Sequence, residues 1–255
     1  MTDNRQEMVS DSDNDRAAEL EMRKRSRRSF LLAGISAAAG ITAFNWLRTR
    51  PDDGAVSWPL RRVLEFNERL SHTRFSNAHL APNFPTELAE TPRENGGVGL
   101  NEEIDLRSWS LKVLNAPGPK PIELTLADIK SLPRVEMVTE LHCIEGWSQV
   151  VYWAGARFSS LMDKVSAAPR YVSLETPNSA YYVGFDIESA THPQTLLCYE
   201  INGRPLTPEH GAPLRLATPV KYGIKNIKRI GTIRFTNTRP ADYWAERGYD
   251  WYAGL

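Results

Sequence analysis

The residue with the clearest chemical potential in this chain is Cys143, one of two cysteines. Val138-Thr139-Glu140-Leu141 is a strand-forming run, and His142-Cys143-Ile144-Glu145-Gly146-Trp147-Ser148 turns the chain away at its end. A thiolate held there is a soft, strongly donating ligand for a metal that shares electrons with sulfur. No CxxC, HExxH or histidine cluster accompanies it, so the protein offers no complete ligand set of its own. One thiolate suffices if an organic cofactor brings the remaining sulfurs. Three plainer readings stay open beside this one. Cys143 could be a small core hydrophobe. It could form a disulfide with Cys198, which sits in the strand pattern Thr195-Leu196-Leu197-Cys198-Tyr199-Glu200. It could also be a nucleophile paired with His142, although neighbours on a strand point to opposite faces.

A cofactor needs hydrogen-bonding loops as well as a ligand. His210-Gly211-Ala212-Pro213-Leu214-Arg215 could set a donor and a cation on one anionic group. Lys221-Tyr222-Gly223-Ile224-Lys225-Asn226-Ile227-Lys228 combines a glycine, which lets backbone approach a phosphate, with lysines that neutralise it. Either could equally be a solvated basic loop. Glu145 is a strand-end carboxylate two positions from the thiol. The tail from Asp242 to Tyr252 is crowded with aromatic rings that could cover a core edge.

In this order the motifs resemble the molybdopterin-binding domain of the sulfite oxidase superfamily. The resemblance rests on His142-Cys143-Ile144-Glu145-Gly146-Trp147, Trp153-Ala154-Gly155-Ala156-Arg157, Leu197 to Leu206, His210 to Arg215 and Tyr222 to Lys228. It covers roughly Phe75 to Tyr252 and implies a Mo-molybdopterin cofactor with Cys143 as the molybdenum ligand. By the same resemblance His210, Arg215, Gly223, Ile224 and Lys225 contact the pterin or its phosphate. Phe75-Ser76-Asn77-Ala78-His79-Leu80-Ala81-Pro82 is similar to the first pterin-contacting loop, which implicates Ser76, Asn77 and His79. Thr176 matches a cofactor-contacting threonine of the exported methionine-sulfoxide reductase branch, and Tyr249 lies where sulfite oxidases place an active-site tyrosine.

The departures concern substrate. Sulfite oxidases follow their cysteine with a stretch containing paired arginines, and here the run is Gly146-Trp147-Ser148-Gln149. Asn77 stands where those enzymes carry another arginine. An anion would lose its counter-charges, so the resemblance implies oxygen-atom transfer with a neutral, methionine-sulfoxide-like S-oxide. Sulfite-oxidase-like oxidation of a small sulfur compound and a non-catalytic cofactor-binding domain are the alternatives. With no second redox motif in the sequence, a membrane haem or quinone-linked redox partner is expected.

The elements that must position these residues follow from periodicity. Leu60, Val63, Leu64 and Leu70 recur at helical spacing within 58–71. Leu124 to Lys130 reads as a short helix capped by Thr125 and Asp128, and Phe158–Val165 as a helix packed through Phe158, Leu161, Met162 and Val165. Strands are expected at 104–106, 109–113, 171–175, 181–185, 195–201, 214–218 and 227–236, with Asn202-Gly203 as a turn. Arg74–Pro85 and Glu90–Leu100 read as connectors. Short strands without strand–helix alternation indicate an α+β domain built on a mixed β-sheet.

The 255 residues suffice for one large domain. Lys+Arg and Asp+Glu balance at 31 each, so no overall charge favours nucleic acid. Residues 1–22 are polar and acidic and are expected to be disordered. Arg23-Lys24-Arg25-Ser26-Arg27-Arg28-Ser29-Phe30-Leu31-Leu32, followed by an Ala/Gly-rich apolar stretch, reads as a twin-arginine export signal or, uncleaved, a membrane anchor over 23–50. The expected organisation is therefore that extension and signal followed by a molybdopterin-binding oxidoreductase domain over 51–255. The expected protein is a monomer exported to the periplasm by the twin-arginine machinery, and tethered to the inner membrane if the signal stays.

Overall fold

The computed structural model describes residues 3–116 and 120–255, with side chains from residue 21 onward. The chain divides into two units, one of 1–52 with 57–59 and one of 53–56 with 60–255.

The first unit is built on helix α1 (Asp3–Arg48). Its backbone is helical from Asp3, and Arg16-Ala17-Ala18-Glu19-Leu20-Glu21-Met22-Arg23-Lys24 consists of strong helix formers. Phe30, Leu31, Ile35, Ile41 and Phe44 are exposed along α1. The part from Glu21 to Arg48 is long and apolar enough to cross a membrane.

Two-residue strands β1 (Asp52–Asp53) and β2 (Val56–Ser57) precede helix α2 (Trp58–Arg74). The body of the second unit holds two five-stranded sheets. The mixed sheet has the order β4 (Ile122–Leu124), β3 (Leu111–Leu114), β12 (Thr232–Thr236), β7 (Tyr171–Glu175), β8 (Tyr182–Asp186). Its central strand β12 runs parallel to β3 and antiparallel to β7, so that Ile233 pairs with Val113 and with Leu174. All three side chains are fully buried, and this register sets the layer.

The antiparallel sheet is β5 (Arg134–His142), β6 (Ser148–Arg157), β9 (Leu196–Ile201) and β10 (Arg204–Pro205), with β11 (Arg215–Ala217) also on β9. Period-two alternation gives β9 two apolar faces. Leu197 and Tyr199 join the main core with Leu111, Phe158, Leu161, Leu174 and Ile233, while Leu196 and Cys198 join a second cluster with Met137, Val151 and Trp153. The register shifts at Gly155, where a Cβ would lie 2.1 Å from Leu197 O, so only glycine fits.

Helix α3 (Leu126–Lys130) carries the expected capping box, Thr125 Oγ1 accepting from Asp128 N at 3.2 Å and Asp128 Oδ2 accepting from Thr125 N at 2.9 Å. Helix α4 (Phe158–Val165) buries the four apolar residues named from its spacing. Two strand expectations are corrected. Residues 104–106 form no strand but lead into a turn at 106–108, where Asp105 Oδ1 accepts from Arg107 N, a local bond that competes with a ladder. Residues 227–231 run as loop, and β12 begins only at Thr232.

Candidate functional site

Strands β5 and β6 form a hairpin paired from Arg134↔Ala156 to His142↔Ser148, and Cys143 opens its turn. Cys143 N donates to Trp147 O at 2.8 Å and Gly146 N to Cys143 O at 3.1 Å. Gly146 sits at φ +87°, the left-handed region that a side chain would strain. The turn therefore holds the thiol at the end of a strand whose middle residues, Met137, Val138 and Thr139, are buried. Cys143 is half-buried and Cys198 fully buried, and both are free thiols. That excludes the disulfide alternative. Burial pushes the Cys198 thiol up to about 12, which makes it an inert packing group.

Three distant loops meet Cys143 in one pocket, lined among others by Arg93, Asn95, Trp147, Arg215, Asn226 and Lys228. Asn95 Nδ2 donates to Cys143 Sγ at 3.8 Å, and Lys228 Nζ donates to Asn95 O at 2.6 Å. The 3₁₀ turn Gly223–Lys225 packs directly on the hairpin: a Cβ on Gly223 would stand 3.3 Å from His142 O and 3.8 Å from Cys143 Cα. Ile224 lines the same wall, and its carbonyl accepts from Tyr181 OH at 2.5 Å.

The pocket's cations lack carboxylate partners among the described residues. Arg215 is buried, stacks 4.7 Å over the Trp153 ring, and donates to His210 O and Asn226 O at 3.1 and 3.3 Å. Burial lowers its pKa to about 10. Burial, then repulsion from Arg215, lowers Lys228 to about 8. Two positive charges held without counter-ions describe a seat for an anion. Arg93 lies 5.0 Å over the Trp147 ring at the mouth, and Trp244 packs edge-on against Tyr249 at 5.1 Å on the opposite wall.

Of the residues singled out from the sequence, the pocket gathers Cys143, Arg215, Gly223, Ile224 and Tyr249. Lys225 is not among them: its ammonium is buried against Asp242 Oδ2 at 2.5 Å and Gly184 O at 2.9 Å. His210 is buried and fully engaged, with Nε2 donating to Pro92 O at 3.0 Å and Nδ1 accepting from Thr207 Oγ1 at 2.8 Å. It anchors the start of the loop carrying Arg93 and Asn95 rather than lining the pocket. Thr176 is buried, bonded to Asn178 Oδ1 and Tyr181 N, and packed beneath Gly99. Ser76, Asn77 and His79 lie in a separate turn, where Ser76 Oγ accepts from Ala78 N and His79 O accepts from His192 Nε2. Sequence reasoning named the loop that carries Asn226 and Lys228 but missed Arg93 and Asn95. Arg93 and Asn95 sat in a stretch read as a connector, and only their polar side chains beside Gly96-Gly97 could have marked them.

The family profile of the oxidoreductase molybdopterin binding domain matches residues 98–244, more than half of the chain. The chain belongs to this family. A protein of Azospira oryzae with the provisional name protein-methionine-sulfoxide reductase subunit YedZ1 is 33% identical over 89% of this chain and 86% of its own. The protein-methionine-sulfoxide reductase catalytic subunit MsrP of Xanthomonas axonopodis pv. citri is 34% identical over 86% of this chain and 72% of its own. MsrP of Campylobacter jejuni is 29% identical over 71% and 67%. The crystal structure of the sulfane dehydrogenase SoxCD from Paracoccus pantotrophus shares the fold, with TM-score 0.51 and 18% identity over 64% of this chain and 46% of that one.

Membership makes the protein a molybdenum-dependent oxidoreductase with a Mo-molybdopterin cofactor. The pocket fits that group. A single thiol matches a metal whose other sulfurs come from the pterin, and Arg215 with Lys228 matches a phosphate.

Proposed function

We propose that this oxidoreductase reduces a neutral S-oxide of the methionine-sulfoxide type, exported to the periplasm by the twin-arginine machinery and supplied with electrons by a membrane haem or quinone-linked partner. Cys143 would hold the metal, and Arg215, Lys228 and the backbone of Gly223–Ile224 would hold the pterin and its phosphate. When bound, the molybdenum centre supplies the two-electron chemistry of oxygen-atom transfer.

The observation that carries this reading is the apolar and aromatic rim around Cys143, made by Val98, Ile144, Trp147, Trp244 and Tyr249. Such a rim suits a thioether chain and its sulfoxide. Reduction of R₂S=O consumes two electrons and two protons and yields R₂S and water. Arg93 and Tyr249 are the donors at the rim that could hold the sulfoxide oxygen, and the Tyr249 hydroxyl could pass a proton. Export is supported by the arginine-rich run ahead of the apolar part of α1.

Arg93 also keeps a second reading in play, oxidation of a small anionic sulfur compound. The test is turnover of purified holoenzyme with a reduced viologen dye and methionine sulfoxide, against sulfite with an electron acceptor. Sulfoxide-dependent dye oxidation that vanishes in Cys143→Ser is expected. Sulfite turnover without any sulfoxide turnover would sink the proposal.

A further inference from the structure

Helix α2 turns Arg61 and Glu68 to the protein and an apolar stripe to solvent. Arg61 points inward and donates to Asp53 O, Gly54 O, Ala245 O and Tyr249 O at 3.0, 2.6, 2.9 and 3.1 Å. Glu68 also points inward and accepts from Arg239 Nη2 at 2.7 Å. On the other side Val63, Phe66 and Leu70 recur at helical spacing and are 54%, 58% and 42% exposed. No residue of the helix is buried. A soluble helix normally turns its apolar stripe to the core, so this stripe needs a cover that the chain's own body does not provide.

At 100° per residue, Arg62 and Arg69 edge the stripe on one side and Arg74 on the other. Arg62 shares Glu65 in an exposed pair at 2.8 Å, and the described contacts give Arg69 and Arg74 no carboxylate. An apolar stripe between rows of arginines has the chemistry of a helix lying in a membrane interface. Connectivity permits it. Residues 49–57 separate α2 from the apolar part of α1 and span at most about 30 Å fully extended.

We propose that α2 lies in the headgroup layer of an anionic phospholipid membrane. Val63, Phe66 and Leu70 reach the acyl boundary, and Arg62, Arg69 and Arg74 meet lipid phosphates. Through Arg61 the same helix holds the segment of Ala245 and Tyr249, so the docked face backs onto a wall of the Cys143 pocket. The inference does not depend on which substrate is reduced.

The test reconstitutes the full chain into phosphatidylglycerol–phosphatidylethanolamine vesicles, with a nitroxide on Phe66→Cys in a Cys143→Ser background. Cys198 is fully buried and stays unlabelled. The label is expected to favour collisions with oxygen over a water-soluble nickel chelate, at a depth of about 5–10 Å. Replacing Arg69 or Arg74 by Gln should lower the ratio of inserted to free label about fivefold each. Val63→Glu with Leu70→Glu should return the label to water while the thermal melt is unchanged, since both positions are exposed. A label that stays in water on vesicle-bound protein, or a chain that stays off the vesicles, overturns the proposal. So does equal insertion into pure phosphatidylcholine, or burial of the label only when a membrane haem protein is added.

Discussion

Lys225 and Asp242 form a fully buried ion pair, Nζ to Oδ2 at 2.5 Å, with both side chains 1% exposed. The pair pins the loop behind Cys143 to the aromatic tail. Asp242 also accepts from Gly184 N, Trp244 N and Ala245 N, each at 3.1 Å, and so sets the segment that carries Trp244 and Tyr249 to the pocket. Asp242→Ala should cost about 3–5 kcal/mol, because it leaves a buried ammonium without compensation. Lys225→Met should cost less, since the carboxylate keeps three backbone donors. Urea unfolding of the two variants measures the difference, and equal losses would contradict the assignment.

Cys143→Ser is expected to purify with less than a tenth of the wild-type molybdenum and an unchanged melt. The hydroxyl is a harder and weaker donor than the thiolate, and the half-buried position tolerates it. Metal analysis beside calorimetry decides this. Equal molybdenum in both proteins would remove Cys143 as the ligand.

Asn95 donates to the Cys143 sulfur, and Lys228 fixes the Asn95 backbone. A hydrogen bond to a ligating sulfur withdraws charge and favours the reduced metal. Asn95→Leu should therefore lower the molybdenum reduction potential while leaving metal content intact. Potentiometric titration followed by electron paramagnetic resonance reads the shift, and an unmoved potential would assign Asn95 to packing alone.

Lys228 titrates near 8 in the folded protein against an ordinary lysine value of 10.5. Below pH 8 it is charged and can hold an anion, so retention of phosphate by the cofactor-free protein should weaken as pH rises through about 8. Stability moves the other way. Between about 8 and 10.5 the unfolded chain binds more protons than the folded one, so anion-free protein should gain stability across that window. Lys228→Met should flatten both profiles, measured by phosphate titration and by melts in phosphate-free buffer.

Much of the architecture was legible because it depends on local spacing. The Thr125–Asp128 box, the apolar positions of α4 and the turn closed by Gly146 each need only residues a few positions apart. Alternation misled at 104–106, where Asp105 accepts from the backbone N–H of Arg107 instead of joining a ladder.

For the site, the sequence alone determined the thiol, its turn and the two basic loops, since these are properties of residue type and close neighbours. Tertiary structure decided which of those side chains meet. The phase of the Gly223–Lys225 turn sends Lys225 inward to Asp242 and leaves Asn226 and Lys228 on the pocket. The His210 ring is consumed by Pro92 and Thr207, and the loop so anchored delivers Arg93 and Asn95. These outcomes turn on contacts between segments far apart in the chain, where one turn of backbone separates a core ion pair from a pocket-lining cation.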